Sequence, residues 1–437
     1  MKTIFFKLFF LMLSVLMYGQ SGHIMQGVGA VNMSMGGAST AQPLDISGAL
    51  QWNPASISTF NSKILKLDIG VFSSSPKLYS TVPEFNNLGQ PTGNFFSGST
   101  EDARGLSPMP AIAMVWGEEG NKHTFGVSVF GISGFGVTFP QSATNPINMP
   151  QNMGGFGSIE SDYMLLQVGF TWAYELTDQL SIGVEPTFNY AALQLMPNPT
   201  ANPSQIAGYP STNKANAVGF GAQFGVFYDM NNGLKLGFSY KTTQSFSDFK
   251  FQNTYLDNSK GESEFNMDYP AILSLGIGYS KGDFDFALDY RSVDYENTDG
   301  FSKTGWTNTA SVKGFGWKNI SIVSAGLQYK GIKKMPLRVG YTYNTSPITS
   351  DVVFFNIPAT AIINNAYQLG FSYVFSDKFV LDGVYHYGTS GGKTSGKLLN
   401  PMFAGADNLY GAIPGSNVSY DMKTSMFMAG FSYTFNK

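Results

Sequence analysis

The sequence predicts an all-β fold: a 14-stranded antiparallel transmembrane β-barrel with an N-terminal lumenal hatch, or plug. Three observations carry that prediction. Long runs alternate apolar and polar side chains, as a strand with two unlike faces must. The connections between these runs alternate short and long, as in a barrel that crosses an outer membrane. The 437 residues are 15% aromatic but only 13% charged, against about 25% charge in a soluble domain. Mean hydropathy is −0.05, so apolar residues are finely interleaved with polar ones. A wall with lipid on one side and water on the other calls for that interleaving.

The chain opens with "MKTIFFKLFFLMLSVLMYGQ", in which Lys2 and Lys7 precede an apolar run, Leu8 to Met17, and the small residue Gly19. The run falls short of the about 20 residues of a membrane-spanning helix. A short basic region, a short apolar core and a small residue describe a secretory signal peptide, placed at residues 1–19. No later stretch is apolar enough for a spanning helix. Cysteine is absent, so an exported chain of this size takes its stability from something other than disulfides. A closed ladder of backbone hydrogen bonds supplies it. The formal net charge of −3 argues against a nucleic-acid partner.

Residues 20–62 come next and are read as the hatch. "MGGASTAQPLDISGALQWNPAS", Met35 to Ser56, is crowded with small residues and reads as neither strand nor helix. Pro43 and Pro54 interrupt regular structure, and Asp45 and Asn53 can bond their own backbone in local turns. Met33, Met35, Leu44, Leu50 and Trp52 make the segment too apolar for a flexible linker. A compact plug fits, because 14 strands enclose more space than their own side chains fill.

Residues 63–437 are read as the barrel. Alternating runs lie near 63–78, 108–117, 123–139, 161–174, 179–195, 214–228, 234–248, 264–280, 283–295, 317–329, 336–346, 364–375, 378–388 and 422–435. In one, Leu337, Val339, Tyr341 and Tyr343 alternate with Arg338, Gly340, Thr342 and Asn344. The polar face is rich in Gly and Ser, and the apolar face tends to finish in Tyr or Phe, like the aromatic girdles of outer-membrane barrels. Connections after even-numbered strands are short, such as "DMNNG" and "SKG"; those after odd-numbered strands are mostly long, such as 79–107 and 389–421. An even strand count places both chain ends on the periplasmic side. The ending "FMAGFSYTFNK", with Phe435 as its last aromatic, resembles the signal read by the barrel-assembly machinery.

The segment "GVGAVNMSMGGASTAQPLDISGALQWNPASIS" resembles the N-terminal hatch of the FadL/TodX long-chain fatty-acid transporter family. The marks are Gly27 and Gly29, the Met-Gly-Gly-Ala that includes Gly36 and Gly37, and the Asn53-Pro54-Ala55 triplet. "LSIGVEPTFNY", "MDYPAILSLGIGYS" and "LRVGYTYNTSPI" followed by "NIPA" continue the likeness along the mature chain. The resemblance implies a monomer that passively carries long-chain fatty acids or other hydrophobic small molecules across the outer membrane. It also implies a lumenal pocket near the hatch, hatch rearrangement, and sideways release through an opening at a kinked third strand. Outer-membrane lipid and lipopolysaccharide would surround it.

The third strand, "HTFGVSVFGISGFGVTFP", carries Gly131, Gly134 and Gly136 close together, with Phe135 among them. Glycine inside a strand weakens pairing and marks bends, so the lateral gate is placed at these four residues. Strict alternation puts Gly134 and Gly136 on one face and Gly131 on the other. The external loop "MPNPTANPSQIAGYPSTNK" is proline-rich and polar, which disfavours an external greasy groove there; "KLLNPMFAGADNLYGAIPG" in the last loop is more apolar. By alternation Glu175, Glu185, Asp283, Asp285, Asp289, Arg291, Arg338, Asp382 and His386 face the lumen. They pack wall to hatch by ion pairing, or Arg338 or Arg291 attracts a carboxylate headgroup. No nucleophile–base set is present, so no enzyme is expected, and no metal site or cofactor: His23, His123 and His386 are far apart. The alternative reading is a PorV-like barrel serving as a secretion-system component or adaptor that binds a protein partner.

Overall fold

The computed structural model describes residues 22–435, apart from 87–89 and 205; the signal-peptide reading of 1–19 lies outside the described residues. Fourteen antiparallel strands close into one barrel. They are β1 Lys63–Ser74, β2 Leu106–Trp116, β3 His123–Phe139, β4 Ile159–Glu175, β5 Leu180–Met196, β6 Ala215–Asp229 and β7 Leu234–Lys241. Then come β8 Ala271–Lys281, β9 Phe284–Asp294, β10 Ile320–Tyr329, β11 Leu337–Asn344, β12 Asn365–Val374, β13 Phe379–Thr389 and β14 Lys423–Phe435. Each pairs with its sequence neighbours, and β14 pairs with β1 from Lys63↔Phe435 to Ser74↔Thr424. Closure removes the sheet edges except where β2 and β3 part above Ala111↔Phe130, and so satisfies most of the wall's backbone internally, as lipid requires.

The two faces separate by polarity as the alternation demands. Leu67, Ile69 and Val71 of β1 point out and are exposed, while Lys66 and Asp68 between them are buried inside. Among the charges expected to face inward, Glu185, Asp285, Asp289, Arg291, Arg338, Asp382 and His386 are buried. Glu175 is half-buried and Asp283 exposed. Both sit at a strand end or turn, where alternation no longer fixes direction.

Three strand limits differ from the sequence reading. The first run breaks after Ser74, and Lys77–Phe85 instead pairs with Pro91–Glu101 and Asn417–Asp421 in a small sheet at the long-loop end. The run 234–248 breaks after Lys241 and rejoins the wall only at Ser245–Phe246, which pairs with Phe220 and Gly219 of β6, and the run from 264 enters the barrel only at Ala271. There the chain leaves the wall to pair Phe249–Thr254 with Lys260–Phe265. Strand-like patterning does not say which sheet a strand joins.

The hatch reading of Met35 to Ser56 as neither strand nor helix is corrected. Within it the helix α2 Ile46–Trp52 forms and a 3-10 turn Pro54–Thr59 begins, while a first short helix, α1 Ala30–Ser34, lies just before it. Asp45 caps α2 by accepting a hydrogen bond from Gly48 N at 3.0 Å. Asn53 caps the 3-10 turn through Ala55 N at 3.1 Å. These are the side-chain caps that Asp and Asn provide. Nearly every residue from Gly22 to Ser58 is buried. Among the described residues no helix is long and apolar enough to cross a membrane.

Candidate transport site

The hatch touches the wall where side chains are smallest. Gly36 and Gly37 adopt φ of 69° and 79°, the left-handed region that suits glycine. A Cβ on Gly37 would stand 1.8 Å from Gln26 O, and one on Gly36 would stand 2.8 Å from Tyr341 O. The Gly36 carbonyl accepts a hydrogen bond from Thr342 Oγ1 at 2.8 Å, and the Gly37 carbonyl one from Arg291 Nη2 at 2.8 Å. On the opposite wall Asn53-Pro54-Ala55 lies directly on the backbone of β5 and β6. A Cβ on Gly225 would meet Asn53 Oδ1 at 2.1 Å, and one on Gly183 would meet Ala55 N at 2.4 Å. Asn53 Nδ2 donates to Thr40 O at 2.8 Å and to Val226 O at 3.0 Å. The lumenal glycines of these strands thus admit the plug.

Buried charges fix its orientation. Lys66 Nζ of β1 lies 2.9 Å from Asp45 of the hatch and 2.7 Å from Asp382 of β13. Asp68 accepts the Ala30 N–H at the start of α1 at 2.9 Å. Asp289 Oδ2 accepts from Ser39 N at 2.8 Å, Thr40 N at 2.9 Å and Thr40 Oγ1 at 2.7 Å, and pairs with Arg291 at 2.6 Å. The Arg291 guanidinium also lies 3.6 Å from the centre of the Trp52 ring. Arg338 donates to Gln328 and Ser372, each at 2.6 Å, and Ser372 in turn bonds Asp382. Both arginines expected as headgroup sites are therefore engaged by protein groups. Arg291 binds the hatch directly, and Arg338 extends the Lys66–Asp382 network along the wall. Lys66, Asp68 and Lys241 escaped the sequence reading. The alternation in "KILKLDIG" does place Lys66 and Asp68 inside, but their partners lie elsewhere in the chain.

The seam between β2 and β3 is short. β3 pairs with β2 only over Ala111–Trp116 and Phe125–Phe130, yet with β4 as far as Phe139. The β3–β4 register slips between Gly131 and Ser133, where Ile132 is the extra residue. That bulge reverses the parity. Gly131, Gly134 and Gly136 now oppose Leu166, Met164 and Asp162 and share the outer face. This corrects the split of these glycines between two faces. Phe135 points inward and stacks on Tyr163, with ring centres 4.9 Å apart.

Above the bulge the free edge of β3 is met by two other segments. From outside, Ala103 N donates to Thr138 O at 2.8 Å, and Thr138 N donates to Asp102 Oδ1 at 2.5 Å. From inside, the start of the hatch lies along the edge. Met25 N donates to Ile132 O at 2.9 Å, Gly134 N to His23 O at 3.2 Å and Ser133 Oγ to His23 O at 3.0 Å. A cavity of ≈ 80 Å³ adjoins this place, lined among others by Met33, Phe72, Gly134, His386 and Met426.

The His23 ring enters a cage of aromatic rings. Phe135, Tyr163, Tyr269, Tyr295, Phe301 and Trp317 have their centres 4.8 to 6.4 Å from its own. Nδ1 and the Tyr295 hydroxyl are hydrogen-bonded at 2.9 Å. Burial pushes the imidazole down to about 3, because the apolar surroundings disfavour its charged form. Above the cage the 3-10 turn Phe354–Ala359 dips into the lumen, and Asn356 Oδ1 accepts the Trp317 indole N–H at 2.5 Å. A small cleft of ≈ 50 Å³ lies over it, lined by Phe156, Pro197, Val312, Phe354 and Ile357 among others. Farther out, Ile206 and Leu256 are exposed singly, whereas Met402, Phe403 and Leu409 are exposed together in the last loop. Among the described residues no group of three or more His, Cys, Asp or Glu is placed to hold a metal.

The family model described as "Outer membrane protein transport protein (OMPP1/FadL/TodX)" matches residues 23–435. No curated protein sequence matches the chain. Solved structures resemble it in fold. The toluene transporter TodX of P. putida is 16% identical with a TM-score of 0.67, covering 94% of this chain and 99% of that one. A Pseudomonas aeruginosa FadL homologue is 14% identical with a TM-score of 0.71, covering 95% and 100%. The toluene transporter TbuX of Ralstonia pickettii is 17% identical with a TM-score of 0.65, covering 94% and 99%.

Proposed function

The chain belongs to the OMPP1/FadL/TodX family of outer-membrane transport proteins, and from that premise we propose how it carries a hydrophobic compound: inward from the long-loop end, then sideways through the β2–β3 seam. The single observation that best supports this route is the seam itself. It is the place where a strand edge inside the membrane wall is completed by the hatch rather than by a neighbouring strand. Moving residues 23–25 would free that edge and join the adjoining cavity to the outer face at Gly134. The Asn53 triplet and the charges around Lys66 would hold the rest of the hatch in place meanwhile. Among ligands, the family resemblance includes long-chain fatty acids, and two of the fold neighbours are toluene transporters.

Reconstituted liposomes test the route. The wild-type chain should speed partition of toluene or palmitate into the lipid phase. A disulfide between positions 110 and 131, which both face outward and continue the register one step past Ala111↔Phe130, should abolish that gain and reduction should restore it. Unchanged flux with the disulfide closed would refute lateral release. Absence of flux for every hydrophobic probe would favour the adaptor role instead.

A further inference from the structure

The cage around His23 is poorly matched to the ring it holds. Its walls are aromatic, yet they carry two hydroxyls that are unevenly matched to the imidazole. The Tyr295 hydroxyl is bonded to His23 Nδ1. His23 Nε2 and the Tyr163 hydroxyl are buried with no hydrogen-bond partner among the described residues. Leaving such groups unpaired is costly in an apolar surround. A phenylalanine at position 23 would fill the space with less penalty, and an imidazole fully at home would have both nitrogens bonded. The segment that delivers the ring is held at the β3 edge by only a few hydrogen bonds. Apolar packing continues beyond the cage. Phe315 stacks on Phe301 at 5.5 Å and lines a small cleft with Leu195, Pro199 and Phe355.

We infer that this cage is a binding site for a single planar aromatic ring bearing a hydrogen-bonding substituent, such as a phenol, and that the imidazole of His23 competes with the ligand for it. Edge-to-face and tilted rings around the site select a flat aromatic guest over an alkyl chain. The hydroxyls of Tyr295 and Tyr163 select a guest that bonds to them over a bare hydrocarbon, because a hydrocarbon would leave both unpaired once His23 has gone. Displacement of His23 removes the bonds of residues 23–25 to Ile132, Ser133 and Gly134. Occupancy of the cage and release of the β3 edge are thus linked. The inference deepens the channel reading and relies on it for the ligand's path into the lumen.

The test uses the full mature chain in detergent micelles and measures binding of p-cresol and of toluene, which share ring and methyl group, by equilibrium dialysis. The wild type should favour p-cresol by about tenfold, the worth of one buried hydrogen bond. His23→Ala should tighten p-cresol binding by a further factor of about ten. Tyr295→Phe, which keeps the ring, should erase the preference and leave toluene binding as it was. Tyr163→Phe should reduce the preference in the same direction. Equal binding of the two probes in wild type and His23→Ala, or p-cresol binding that ignores residue 23, would overturn the inference. Liposome flux separates the two claims. Toluene and palmitate flux without any p-cresol preference leaves the channel standing and removes the cage. A p-cresol preference in dialysis without flux of any probe keeps the cage and removes the channel.

Discussion

Lys66→Met should free the hatch without opening the barrel. The ammonium, 1% exposed, sits between the Asp45 and Asp382 carboxylates, 9% and 2% exposed, at 2.9 and 2.7 Å. Methionine keeps the length of the side chain and removes its charge, leaving two buried carboxylates with no cation between them. Removing one partner from a buried ion pair costs about 3–5 kcal/mol, mostly as the penalty of the charge left behind. At about 1.4 kcal/mol per decade, opening of the hatch should rise by at least about two decades and up to about three and a half. The barrel should hold, since its ladder runs unbroken from β1 to β14 and back. Hydrogen exchange read by mass spectrometry checks this: amides of α2 and of Ala30 should exchange at least about 10² times faster, and those of β8 to β11 at the wild-type rate. A companion chain carrying Lys66→Met with Asp45→Asn and Asp382→Asn should recover most of the protection, because asparagine still caps α2 and the two carboxylates that faced Lys66 are no longer charged. Unchanged exchange in α2 for the single variant, or no recovery in the triple one, would refute the view that charge pairing at Lys66 holds the plug.

Other expectations follow from the same contacts. Gly225→Leu would drive a side chain into Asn53, whose Oδ1 lies 2.1 Å from where the Cβ would be; overpacking of this kind costs about 1–3 kcal/mol or more and should raise leak conductance in planar bilayers. Gly392→Ala, with nothing within 4 Å of its Cβ, should change nothing in that assay. Asn53→Ala removes the bonds to Thr40 O and Val226 O and should weaken hatch docking by about 2–4 kcal/mol, seen as faster exchange from residue 40 to 55. Deleting residues 27–56 should leave a barrel that inserts but leaks small solutes, and equal permeability would reduce the segment to a tail. Acid should loosen the start of the hatch. His23 is held down to about 3 from 6.5 by burial, so between those values the unfolded segment binds a proton that the docked one refuses. Docking is at full strength above pH 6.5 and is lost progressively as pH falls toward 3. The titratable groups facing His23 are the phenols of Tyr163, Tyr269 and Tyr295, so no other ring in the cage changes charge in that window. Exchange at residues 23–25 should rise from pH 7 to pH 4 in the wild type and stay flat in His23→Phe.

Alternation of side chains determined the barrel. Once β1 reads Leu67, Ile69 and Val71 on one face with Lys66 and Asp68 on the other, a strand between lipid and lumen is the arrangement that satisfies both, and fourteen such runs with alternating connection lengths give the order of the wall. Gly36, Gly37 and the Asn53 triplet could be named for the same local reason: small or turn-forming residues in a segment with no strand pattern. Local pattern failed where a neighbour distant in sequence decides the outcome. Lys77–Phe85 has strand character but pairs with Asn417–Asp421 outside the wall. Gly134 and Gly136 of β3 joined Gly131 on the outer face because Ile132 bulges against β4, and a one-residue slip reverses every side chain beyond it. Arg291 and Arg338 could be assigned to the lumen but not to a partner, because alternation gives a face and says nothing about what stands across it. The cage lay furthest from reach. His23 comes from the start of the chain, while Phe135, Tyr163, Tyr269, Tyr295, Phe301 and Trp317 are spread over strands and loops from β3 to the approach of β10. Only closure of the barrel around the hatch brings those rings within van der Waals reach of one imidazole.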